Sequence, residues 1–135
     1  MKRILLPVLV IGTLLLSACY PAPSALPDEA PPAEPTYKLQ LLSMNDERAY
    51  EYITISGQVK NVSNESLDNV EAIVEFYTSD GTFVKSDEAL IKYNPILPNQ
   101  TSPFEVITTD NPAITKYSVS FKFLFGGTIP TEDKR

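Results

Sequence analysis

From Tyr37 onward the chain alternates apolar and polar residues with a period of two, and this constrains its fold more than any other feature. The clearest stretch is VEAIVEFY, which puts Val70, Ala72, Val74 and Phe76 on one face and Glu71, Ile73, Glu75 and Tyr77 on the other. Successive side chains of an extended strand point to opposite sides, so the pattern describes a strand with one face buried. A helix would scatter the same residues around its circumference.

The alternation recurs, broken by turn residues. Strands are expected around Tyr37 to Ser43 and around Tyr50 to Lys60, with Ile53, Ile55 and Val59 sharing a face. The polar NVSNESLDN that follows is rich in Asn, Ser and Asp, which bond locally to backbone and favour turns. After Val70 to Tyr77, TSDG reads as a tight turn with Gly81 free to take a positive φ. Further strands are expected near Thr82 to Lys92, Phe104 to Thr108 and Lys116 to Phe125. Pro95, Pro98 and Pro103 argue against a long central strand between the first two of these. The last should align Tyr117, Val119, Phe121, Phe123 and Phe125, with Gly126-Gly127 ending it and residues 128–135 forming a loose tail. No 3.6-residue period of helix length appears after residue 18. Six to seven short antiparallel strands with turns between them predict an all-β fold, a β-sandwich.

A folded unit spanning 37–127 is long enough to bury a core without metals or disulfides. The 135-residue chain contains no histidine and one cysteine, Cys19. The usual near-neutral acid–base group is therefore missing, as are the commonest metal-ligating nitrogen and any intrachain disulfide. The net charge is −6, and loss of residues 1–18, which carry Lys2, Arg3 and no acids, takes it to −8. Such a chain lacks the clustered cations that nucleic acid requires and would not adhere by charge to an anionic bilayer.

Cys19 lies where two unlike segments meet. Lys2 and Arg3 precede an apolar run from Ile4 to Leu16. Thirteen residues rise only about 20 Å as a helix, short of the ~30 Å hydrocarbon core, and suit a signal peptide better than a span. Residues 20–36 hold six of the twelve prolines. They read as a stiff tether that reaches about 50 Å when extended.

Leu16-Ser17-Ala18-Cys19 resembles the lipobox of bacterial lipoproteins in order, spacing and position. The resemblance implies cleavage before Cys19, acylation of that residue, and a chain held on the extracytoplasmic side of the cell membrane. Tyr20, where Asp often signals inner-membrane retention, leaves an outer membrane open as the destination. Two or three acyl chains exceed what stable anchoring needs.

The middle of the chain, from Ile53 to Phe125, resembles the FxLYD family of small extracytoplasmic domains. The match is carried by Gly57, Val59, Asn61, Asn69-Val70, Phe76-Tyr77, Asp80-Gly81, Leu97-Pro98 and Phe104. Asn99 stands where the family commonly has Gly, and Thr78 where Asp often follows Tyr. The resemblance implies an immunoglobulin-like sandwich and no enzymatic activity. Its motif residues read as architecture: Gly57 for close strand contact, Asn61 for bonding a turn, Phe76 for the core.

The chemistry-bearing residues give little. Asp80, Asp87 and Glu88 lack the spacing of a calcium loop. The serines and threonines have no histidine to activate them, and no S-x-x-K offers the alternative. Asn61, Asn64 and Asn99 each begin a glycosylation sequon but read as turn residues. No catalytic residue, metal or cofactor is expected. The candidate binding set is Tyr50, Tyr52, Ile73 and Tyr77, which share outward parity and form one apolar patch if their strands are neighbours. These readings converge on a non-enzymatic, membrane-anchored protein-interaction or structural module of the cell envelope, with an envelope protein as the expected partner. A carrier of lipid or glycan is the alternative, and a hydrolase would need converging carboxylates.

Overall fold

A computed structural model describes residues 36–135. The expected signal peptide, Cys19 and all of the expected proline-rich tether except Thr36 lie outside the described residues.

Seven strands form two sheets. They are β1 (Leu39–Ala49), β2 (Tyr52–Asn61), β3 (Val70–Tyr77), β4 (Phe83–Leu90), β5 (Thr101–Thr109), β6 (Lys116–Phe123) and β7 (Thr131–Asp133). One sheet has the order β5-β2-β1-β7 and the other β4-β3-β6. The fold is all-β, a two-sheet sandwich. Its division of β1, β2 and β5 from β3 and β6 matches that of strands A, B and E from C and F in an immunoglobulin sandwich.

The alternation in the sequence becomes the core. Ile53, Ile55 and Val59 of β2 face Val70, Ala72, Val74 and Phe76 of β3, all buried. Phe104 and Phe121, from opposite sheets, meet edge to face at 5.4 Å between ring centroids and 84° between planes. This geometry contributes about 1 kcal/mol beyond the area buried.

Three details position the surfaces. First, β1 carries a bulge between Leu41 and Ser43. Leu39 and Leu41 face the core before it; after it the inward positions fall on Met44, Asp46 and Arg48. Gly57 lies opposite Met44, where a Cβ would stand 2.7 Å from Phe104 Cζ and collide with the Ser43 carbonyl. Second, β5 runs straight through Pro103, longer than the Phe104–Thr108 strand expected. The Pro103 carbonyl accepts from Lys92 N at 2.9 Å, so the missing N–H points away from β2 and removes no ladder bond. Third, the expected loose tail is structured. Ile129 is buried, its N–H donates to Phe121 O at 2.7 Å, and residues 131–133 pair with β1 in parallel. An apolar anchor past the glycine turn supplies the affinity that the charged sequence after it conceals. The parallel β7 also departs from the all-antiparallel expectation.

The polar loops are internally bonded. Buried Asn61 donates from Nδ2 to the carbonyls of Glu65 (2.7 Å) and Ile96 (3.0 Å), while its Oδ1 accepts from Ser63 N and Oγ. Gly81 takes φ 87°, and Asn69 and Asn99 take φ 52° and 63°, a region that Asn tolerates better than most residues.

Strand directions sort the loops into two ends. The β1–β2, β3–β4 and β5–β6 connections lie at one, called here the far end. The β2–β3, β4–β5 and β6–β7 connections lie at the other with Thr36, and this is the entry end.

Candidate interaction surface

The expected four-residue patch divides. β2 and β3 belong to different sheets, so their outward side chains leave the sandwich on opposite sides. Tyr50 and Tyr52 go with the four-stranded sheet, Ile73 and Tyr77 with the three-stranded one. Tyr50 is also outside the strand where parity placed it. It occupies the two-residue β1–β2 turn with φ 59° and is fully exposed.

Tyr52 pairs with Thr109, next to Ile107 of β5, and both Tyr52 and Ile107 are 54% exposed. Tyr52 and Ile107 therefore share one apolar strip at the far end of the larger sheet, with Tyr50 exposed in the adjoining turn. Ile107 is not in the sequence-derived set, yet the alternation of FEVITT, which buries Phe104, Val106 and Thr108, turns it outward. The turn is fixed in place: Asp110 N donates to Glu51 O at 2.7 Å. Arg48 bonds Asp110 at 2.6 Å and the Ile114 carbonyl at 2.8 Å, and Tyr117 donates to Asp46 at 2.9 Å. Burial, then the bond to Asp46, raises the Tyr117 phenol above its ordinary range.

On the other sheet Tyr77 donates to Glu75 at 2.8 Å and meets exposed Phe83 edge-on at 6.0 Å. The bond to Glu75 raises the Tyr77 pKa, because ionisation would set two negative charges side by side. Ile73 lies further along the strand, between Ser120 and Glu88.

The carboxylates do not converge. Asp80 is held within its own turn by the Thr78 hydroxyl and the Thr82 N–H, which lower its pKa. Asp87 pairs with inward Val74 while Glu88 faces outward, 2.7 Å from Lys122 Nζ. Lys122 also lies 3.5 Å from buried Glu71, whose Oε2 has no hydrogen-bond partner. Among the described residues no three His, Cys, Asp or Glu side chains cluster as a metal site would need.

An open groove of about 470 Å³ crosses the larger sheet. Polar Ser43, Asn45, Ser56, Gln58, Lys92 and Glu105 line it together with Leu90, Pro103 and Phe104. It is a polar groove rather than an apolar cavity.

A scan against protein-family models finds no match, and a search of curated proteins finds none. Among solved structures the chain is similar to one titled "Structural characterization of IrmA from Escherichia coli". Identity is 6%, with 71% of this chain and 88% of that chain covered at a TM-score of 0.49.

Proposed function

We propose that this protein is a non-enzymatic, lipid-anchored module on the extracytoplasmic side of the cell membrane, with an FxLYD-like domain that binds an envelope protein through its far end. The observation that carries the reading is Tyr50. An aromatic side chain stands fully exposed at a positive φ, where Gly or Asn would be lower in energy. Backbone strain held under an exposed aromatic residue points to use of that side chain. Tyr52 and Ile107 extend the surface, and the bonds from Asp110 and Arg48 hold it ready, so little ordering entropy is lost on binding.

Orientation favours the same reading. Thr36 lies at the entry end, and the eleven residues of β1 carry the chain about 35 Å from there to Tyr50. An acylated Cys19 and its tether would thus present the Tyr50 surface away from the membrane. Cys19→Ala should abolish fatty-acid labelling and release the protein from membranes; unchanged retention refutes the anchor. In-cell photo-crosslinking from positions 50 and 107, followed by mass spectrometry, should capture one partner that position 73 does not. Equal capture from all three positions refutes the far-end surface.

A second reading, saccharide binding, is favoured by one observation. Ser43, Asn45, Ser56 and Gln58 line the groove with hydroxyl and carboxamide groups that make no hydrogen bond to the rest of the described chain.

A further inference from the structure

Five large apolar side chains stand exposed at the entry end: Tyr37, Tyr93, Leu97, Leu124 and Phe125. Phe125 is 91% exposed at the tip of the Phe123–Gly127 turn. It stands outside the row in which the sequence aligned it with Tyr117, Val119, Phe121 and Phe123, because β6 ends at Phe123.

These residues do not hang on independent loops. Asn69, in the left-handed region, ties three connections together. Its N–H donates to Asn94 Oδ1 at 2.8 Å, its Oδ1 accepts from Asn94 Nδ2 at 2.9 Å, and its carbonyl accepts from Leu124 N at 2.8 Å. The β2–β3, β4–β5 and β6–β7 connections are thereby bolted into one platform. It holds Leu124 and Phe125 on one side of the knot and Tyr93 next to Asn94 on the other. Thr36 and Tyr37 border the Val62–Glu65 segment at the same end, so the chain leaves the domain toward Cys19 from here.

We propose that this platform rests on the membrane that holds the anchor, with Phe125 and Leu124 entering the interface and Tyr93 at headgroup level. The inference rests on the anchor proposed above. Its occupant follows from where the tether joins. Any surface reached by a chain of seventeen residues from an acylated Cys19 meets the bilayer at high local concentration, so even a weak apolar contact is populated. Tyr, Phe and Leu are the side chains that such an interface accepts. The net negative charge excludes attraction to anionic headgroups as the cause, so docking is apolar and a zwitterionic bilayer suffices.

The chain has no tryptophan, so Phe125→Trp introduces a single reporter, and Phe83→Trp, in a separate variant, supplies the matching reporter at the far end. Each lipidated variant is reconstituted into phosphatidylcholine vesicles with or without bromine on the acyl chains. The Phe125→Trp reporter should shift to the blue and lose emission in the brominated vesicles, while the Phe83→Trp reporter keeps both its wavelength and its intensity. Unquenched emission from Phe125→Trp overturns the proposal, and so does equal quenching of both variants, which would mean that the domain has no preferred end. Flotation with the vesicles tests the anchor separately. Should the cell not acylate Cys19, coupling its thiol to a maleimide phospholipid supplies the tether, and the same two reporters decide.

Discussion

Replacing Asn61 with Ala removes four hydrogen bonds from a fully buried side chain, two donated to carbonyls and two accepted from Ser63. At about 1 kcal/mol net per bond the direct loss is about 4 kcal/mol. The Ile96 carbonyl, itself in a buried residue, is left with one partner fewer and adds to that cost. A domain of this size has roughly 5–15 kcal/mol of total stability, so the substitution should consume about a quarter of it or more. Urea unfolding followed by circular dichroism reads this as a midpoint lower by roughly 2–4 M, taking an m-value of about 1–2 kcal/mol/M. Asn64→Ala, on an exposed residue three positions along the same loop, should change stability by less than about 0.5 kcal/mol. Asn61→Asp sharpens the test, since it keeps an acceptor for Ser63 but sets a carboxylate against the carbonyls of Glu65 and Ile96. It should be at least as damaging as Ala. An Asn61→Ala loss below about 1 kcal/mol, or a milder effect of Asp than of Ala, refutes the reasoning.

Gly57→Ala should cost more than about 2 kcal/mol in thermal denaturation, because its Cβ meets the Ser43 carbonyl and the Phe104 ring, whereas Gly127→Ala, with nothing within 4 Å, should be neutral or slightly stabilising. Tyr50→Asn should raise the melting temperature by about 2–6 °C through relief of roughly 0.5–1 kcal/mol of backbone strain, with loss of crosslinked partner; a lower melting temperature would show that the ring packs. Asp133 has its pKa lowered from 3.8 to about 2 by Arg135. Its ionised form therefore steadies the C-terminal strand above pH 3.8, and that support is lost as pH falls through about 2. In Arg135→Ala, NMR titration should find the Asp133 midpoint moved back toward 3.8.

The core and the number of strands were legible because alternation reports burial directly, and β2 and β3 buried the residues it named. What escaped was anything set by one residue or by pairing between distant segments. The extra residue at Leu42 shifts β1 so that Asp46 and Arg48 turn inward, which the uneven spacing of Leu41 and Met44 only hints at. Pro103 reads as a breaker until the strand beside it is known, since an edge position tolerates it. Residues 128–135 look loose because their charge is local and the partner that orders them is β1, at the opposite end of the domain's sequence. The candidate patch failed for the same reason. Parity places a side chain on a face of its own strand, but only the sheet order says whether two strands share that face.

The two-residue turn at Tyr50 has a mechanical consequence. Tyr37 and Tyr50 bound a single strand, β1, so a pull applied at Tyr50 and resisted at the tether travels along one covalent backbone. No ladder of hydrogen bonds stands in series with that load. The ten pairs to β2 and the three to β7 lie alongside it and are neither peeled nor sheared apart by it. If the chain is anchored as proposed, a partner gripping Tyr50 alone would pull on the tether through a near-inextensible cable, whereas a grip on Ile107 would load the β5–β2 and β2–β1 ladders instead.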